Sequence, residues 1–151
     1  MLRRPNGANF TIGRSLYSDR SPGSEEPTAK VFVKIAVEAL PGPIMAQLDT
    51  GAAWSILDAD IAREMALLDG KGEQTRISTR LGRVLGRLER TSLEILADDG
   101  ESLTLQATVW VSPEWHAGNF LGYAGLLQHI RFAIDPSDNS FHFGPTQEAA
   151  Q

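Results

Sequence analysis

Asp49 is the residue most able to do chemistry in this chain. Ile44-Met45-Ala46-Gln47-Leu48 leads into Asp49-Thr50-Gly51, and Ala52-Ala53-Trp54-Ser55-Ile56-Leu57 leads away. An apolar run delivers one carboxylate into a tight turn, and a second apolar run follows. Burying a charge is costly unless it is paired or its proton affinity changes. An acid in such surroundings is therefore a candidate for proton transfer or water activation. Gly51 lets the backbone turn sharply and offer its N–H to the carboxylate. The Thr50 hydroxyl both donates and accepts, so it can anchor the loop to a neighbour. The flanking apolar residues place the loop inside a core. An isolated Asp-Thr-Gly elsewhere would more often be a structural turn.

Other chemistries find little support. There are no cysteines, which excludes a disulfide framework, a thiol nucleophile and cysteine-based metal sites. His116, His129 and His142 show no ligand spacing, so neither a metal nor another cofactor is expected. No serine sits in a Gly-x-Ser-x-Gly context, and no phosphate-loop or dinucleotide fingerprint occurs. The net charge of −5 implies no general affinity for polyanions, and no nucleic-acid partner is expected. Arg76, Arg80, Arg83, Arg87 and Arg90 make one region locally basic. They read as a solvated face, or as a cleft that attracts acidic peptide or, with less support, RNA. No signal peptide or membrane-spanning segment is expected, so no membrane partner is either, and a cytoplasmic location is compatible.

The elements that must position Asp49 are short strands. The 151 residues suit one domain, with 42% hydrophobic and 22% charged residues. Residues 1–27 are rich in Arg, Ser, Pro and Gly and read as a flexible N-terminal arm; an added strand is the other reading. Lys30 to Leu40 alternates apolar and polar residues, as a half-buried strand does. Pro41-Gly42-Pro43 turns into the strand that ends at Asp49. Asp58 caps a short helix that Gly70 ends. Gln74 to Arg80 and Thr91 to Leu96 read as strands. Gly82 and Gly86 between them suggest a bent hairpin tip. Asp98-Asp99-Gly100-Glu101 is a turn signal, and Leu103 to Val111 alternates strongly. Residues 124–130 suggest one or two helical turns, and 131–143 a last hairpin. The domain is expected over residues 28–144, with a tail at 145–151. The whole reads as all-β with one or two short helices.

Leu48-Asp49-Thr50-Gly51-Ala52 followed by Ser55-Ile56-Leu57 resembles the active-site strand of retroviral-type aspartic proteases, the retropepsin-like family. Phe120-Leu121-Gly122 is similar to the family's downstream hydrophobic–hydrophobic–Gly motif. The Gly82/Gly86 hairpin falls where the family has its flap. The resemblance covers roughly residues 30 to 144. It implies a closed β-barrel lobe and an aspartic endopeptidase, favouring acidic pH and bulky apolar side chains at the cleaved bond. Since the chain holds one Asp-Thr-Gly, it implies a homodimer with one Asp49 per subunit, acting on a peptide or protein. Asp49 would be catalytic, Thr50 and Gly51 would hold the loop, and Ala52 would line the cleft. Arg80, Leu81, Gly82, Arg83, Val84, Leu85 and Gly86 would close over substrate. Viral members often carry Asp two positions after the triplet's Gly and Arg after the downstream Gly; Ala53 and Tyr123 stand there. The two members of an ionic pair are thus absent together, which avoids one buried unpaired charge. The alternative reading is an inactive or monomeric binding or dimerisation module on the same fold.

Overall fold

The computed structural model describes residues 1–80 and 82–146. Half of the chain is strand, with a single α-helix among the described residues. In order the strands are β1 (Gly13–Leu16), β2 (Ser18–Arg20), β3 (Pro27–Ala36), β4 (Ile44–Leu48) and β5 (Ser55–Ile56). Helix α1 (Ala59–Glu64) follows, then β6 (Gln74–Thr79), β7 (Gly82–Ile95), β8 (Asp99–Gly100), β9 (Leu103–Val111) and β10 (Phe120–Leu121). A 3-10 turn (Leu127–His129) leads to β11 (Ile130–Asp135) and β12 (Ser140–Pro145).

Eight strands form one sheet in the order β2-β3-β4-β10-β5-β9-β7-β6. A further pairing of β3 with β7, Ile35 opposite Ile95, joins the ends of its middle portion. The strands β3, β4, β10, β5, β9 and β7 therefore close into a barrel, which removes exposed edges from the core. Alternation explains what fills it. Val33, Ile35, Ala46, Leu93, Ile95, Ala107 and Val109 point inward and are buried. The remaining strands form a four-stranded sheet, β11-β12-β1-β8, whose Phe141 and Phe143 join the same core.

Several expectations change. The arm residues Gly13–Leu16 pair with β12 and Ser18–Arg20 pair with β3, so this stretch adds strands to both sheets. Its hydrogen bonds, together with buried Ser15 and Tyr17, outweigh a composition that reads as linker. Asp99 and Gly100 are not only a turn; they pair with β1. Residues 82–95 form one long strand rather than a tip followed by a second strand. Asp58 does cap α1, accepting the Asp60 N–H at 3.0 Å. Gly70, however, is not where α1 ends. The chain reverses at Ala66, with φ of 57°, and the Leu67 N–H reaches back to the Ala62 carbonyl. The expected helical turns at 124–130 reduce to the 3-10 turn, and the last strand runs on to Pro145.

Candidate active site

Asp49 follows β4 directly, and its surroundings are built from backbone. The Gly51 N–H donates to Asp49 Oδ1 at 2.9 Å, so one carboxylate oxygen is oriented by the turn itself. The Ala52 N–H closes the turn onto the Asp49 carbonyl at 3.2 Å. Asp49's own N–H donates to the Leu121 carbonyl at 3.0 Å. That bond continues the parallel pairing of β4 with β10, Leu48 opposite Leu121.

The segment after β10 braces the other half of the loop. The Gly122 N–H donates to the buried Ser55 Oγ at 2.9 Å. The N–H groups of Tyr123 and Ala124 donate to the carbonyls of Ala52 and Ala53, both at 2.9 Å. A Cβ on Gly122 would stand 2.3 Å from the backbone carbon and oxygen of Trp54, so glycine alone permits this approach. The apolar pair and glycine at 120–122 thus serve one purpose: β10 inserts between β4 and β5, on either side of the Asp49 loop, and fixes its path.

Asn119 was not legible as a site residue, yet it ties three elements together. Its carbonyl accepts the Gln47 N–H at 2.8 Å, and its Nδ2 donates to the Met45 carbonyl at 3.1 Å. Its Oδ1 accepts the Asp58 N–H at 2.9 Å. Behind it, Trp110, Trp115 and Phe120 meet edge to face with successive ring centroids 6.0 Å apart. Trp110 is fully buried and donates to the Thr75 carbonyl, whereas Trp115 and Phe120 are half-buried.

The loop is not inside the core of the single chain. Asp49 and Ala52 are half-buried, while Thr50, Gly51 and Ala53 are exposed. Tyr123 beside them is 55% exposed. Asp49 lines neither of two cavities of about 660 and 460 Å³. The apolar strands end at the turn and carry the acid to the surface.

Of the other expected site residues, Thr50, Gly51 and Ala52 lie with Asp49 in the turn. The hairpin residues are joined to other parts of the sheet. Gly82, Arg83, Val84, Leu85 and Gly86 pair with β6, and the Leu85 carbonyl accepts from Ser112 Oγ at 2.9 Å. Arg80 is exposed at the hairpin tip; Leu81 lies outside the described residues. Gly82 has φ of 108°, as a tight reversal needs. Gly86 lies within β7, where a Cβ would meet the Trp110 ring at 2.3 Å. It is a packing glycine, not part of a flexible tip.

One cluster brings together residues distant in sequence. Donor atoms of Asp58, Asp60 and His116 lie within 4.8 Å of one another. The two aspartates already have partners, since Asp58 caps α1 and Asp60 pairs with Arg63 at 3.0 Å. Three donors also fall short of the four protein ligands of a structural zinc site.

No protein-family model matches the sequence, and no curated protein matches it.

Proposed function

We propose that the chain is an aspartic endopeptidase whose barrel is a retropepsin-like lobe and whose active form is a homodimer. One observation carries the reading: a single carboxylate stands at a strand end, oriented by the Gly51 N–H and clamped by the 121–124 segment, yet open on the outer side. A second copy brought against that side supplies a second Asp49. Two carboxylates a few ångströms apart do not both ionise readily, so they share a proton. The ionised member takes a proton from water as the water attacks the peptide carbonyl. The protonated member supports the developing oxyanion, and the amine leaves with a proton from the pair. The two proton affinities belong to the pair rather than to either residue.

Thr50 fits the same arrangement. Its side chain makes no hydrogen bond within the described residues and is exposed, so its hydroxyl is free to reach the partner loop. Tyr123 offers apolar surface beside it, where a charged residue would need a partner.

The test is cleavage of a mixed peptide library between pH 3 and 7, at concentrations where sedimentation shows a dimer. Wild type is expected to cleave and Asp49→Asn to lose cleavage by at least ~1,000-fold, as the loss of a catalytic acid requires. A dimer that leaves every peptide intact overturns the reading and favours a binding module.

A further inference from the structure

The β6–β7 hairpin presents two chemically different faces, and register assigns each residue to one of them. Arg76 stands opposite Leu85, Ser78 opposite Arg83 and Gln74 opposite Arg87. Directly paired residues share a face, as do residues two apart along a strand. Arg76, Arg83, Leu85 and Arg87 are therefore neighbours on one side. The other side carries Thr75, Ile77, Val84 and Gly86, and Gly86 lies against Trp110. Burial largely follows the same division: Arg76, Ser78, Arg83 and Leu85 are exposed, Thr75, Ile77 and Val84 are half-buried and Gly86 is buried, while Arg87 at the base of the first side is half-buried.

The charge on this hairpin opposes that of the molecule. Residues 74–90 carry five arginines and one acid, Glu89, giving +4. The whole chain is −5, so everything else sums to −9. On this face Arg76 and Arg83 form no ion pair among the described residues, and Arg87 donates to the Gly72 carbonyl at 3.4 Å. Leu85, in the middle of the arginines, is 43% exposed. Arginines that merely guard an edge strand from pairing need no apolar residue among them. An exposed Leu between two exposed arginines without ion pairs, Arg76 and Arg83, is a surface suited to a partner.

We propose that this face docks an extended acidic segment of another polypeptide, one carrying an apolar residue among its acids. The argument is charge complementarity and spacing. Alternate residues of an extended chain recur about every 6.6–7 Å on one side, which is also the repeat of Arg83, Leu85 and Arg87 along β7. Strand β6 is the end of the eight-stranded order, so its outer edge is open to backbone pairing by such a segment. Guanidinium groups take carboxylates in two-pronged hydrogen bonds, and Leu85 selects for the apolar residue. No aromatic side chain lies on this face for bases to stack on, so a polypeptide fits it better than a single-stranded nucleic acid. This docking engages neither Asp49 nor its turn, although the protease resemblance assigns Arg83 and Leu85 to closing over substrate, so it is tested in Asp49→Asn as well as in wild type.

The experiment is fluorescence anisotropy with a labelled twelve-residue peptide alternating Glu and Ser around a central Leu. It is run on the full wild-type chain and on Asp49→Asn, which removes cleavage as a complication. Both chains are expected to bind saturably at low salt and to weaken by at least ~10-fold at 0.5 M salt, because exposed charges are then screened. Arg76→Ser/Arg83→Ser is expected to weaken binding by ~10-fold or more while leaving the circular dichroism and melting curve unchanged. Leu85→Ser is expected to weaken the Leu peptide but not the same peptide with central Ser. Absence of binding at low salt, or binding equal in the double variant, overturns the proposal. So does tighter binding, through the same arginines, of a single-stranded oligonucleotide or of anionic vesicles.

Discussion

A methyl group added at Gly122 would collide with the Trp54 backbone at 2.3 Å, and backbone held on both sides by strands has nowhere to go. Gly122→Ala is expected to lower stability by roughly 2 kcal/mol or more, read from the urea midpoint. The opposite sign is expected at Ala66. Its left-handed φ of 57° places an exposed methyl against the following carbonyl, which costs about 1–2 kcal/mol in an L-residue. Glycine removes that cost and adds about 0.5–1 kcal/mol of unfolded-chain entropy, so Ala66→Gly should stabilise by up to ~1 kcal/mol. These residues also mark how far sequence carries at this scale. Asp49 with its turn glycine is visible because an acid in an apolar run is anomalous in any fold. Gly86 is not, because its need for glycine comes from Trp110, a residue that only pairing brings near. Asn119 is hidden for the same reason: two of its three bonds go to β4 and the third to the cap of α1, both more than sixty residues away.

At the scale of elements, strand β1 shows what composition conceals. Its residues follow an Arg- and Pro-containing start, and their alternation is short. Two aspartates from elsewhere hold it. Asp98 accepts the Leu16 N–H at 2.8 Å and the Lys34 ammonium at 2.5 Å. Asp138 pairs with Arg14 at 3.3 Å. Hydrogen bonds from Lys34 first, and from the Leu16 backbone next, hold the Asp98 carboxyl below its ordinary proton affinity. The Ser140 hydroxyl first, then the Ser140 N–H and Arg14, do the same for Asp138. A carboxyl with a lowered folded pKa stabilises the fold fully above its ordinary pKa. It loses that contribution as the pH falls through the lowered value. Hydrogen exchange of the β1 amides should therefore accelerate, relative to β9, as the pH drops below about 4. Asp98→Asn should show faster β1 exchange at neutral pH and a smaller further change on acidification. Equal protection of β1 and β9 throughout would show that the clasp is unimportant. Two barrel strands stand as expected, Leu103 to Val111 from its alternation and Ile44 to Leu48 from its apolar run after a turn. The pairing of β3 with β7 that closes the barrel leaves no local trace.

For the whole molecule, the deciding quantity is association. In the proposed paired-carboxylate enzyme a monomer is half a site, so activity should follow the square of chain concentration below the dimer Kd. Each subunit carries −5 at neutral pH and has a pI near 5.1, so repulsion between subunits fades on acidification. The proposed dimer should accordingly tighten between pH 7 and 5. Tyr123, 55% exposed beside the loop, is the residue with which to separate assembly from chemistry. In a twofold interface a substitution acts twice, and Tyr123→Asp replaces two apolar contacts with two like charges. The dimer Kd should rise by ~10-fold or more, equivalent to at least ~1.4 kcal/mol. Activity should fall at low chain concentration and return as concentration rises, whereas Asp49→Asn should remain inactive at every concentration. Sedimentation equilibrium beside the activity titration reads both quantities from one sample. If wild-type specific activity stays constant through the monomer–dimer transition, each chain acts alone and the paired-carboxylate mechanism fails.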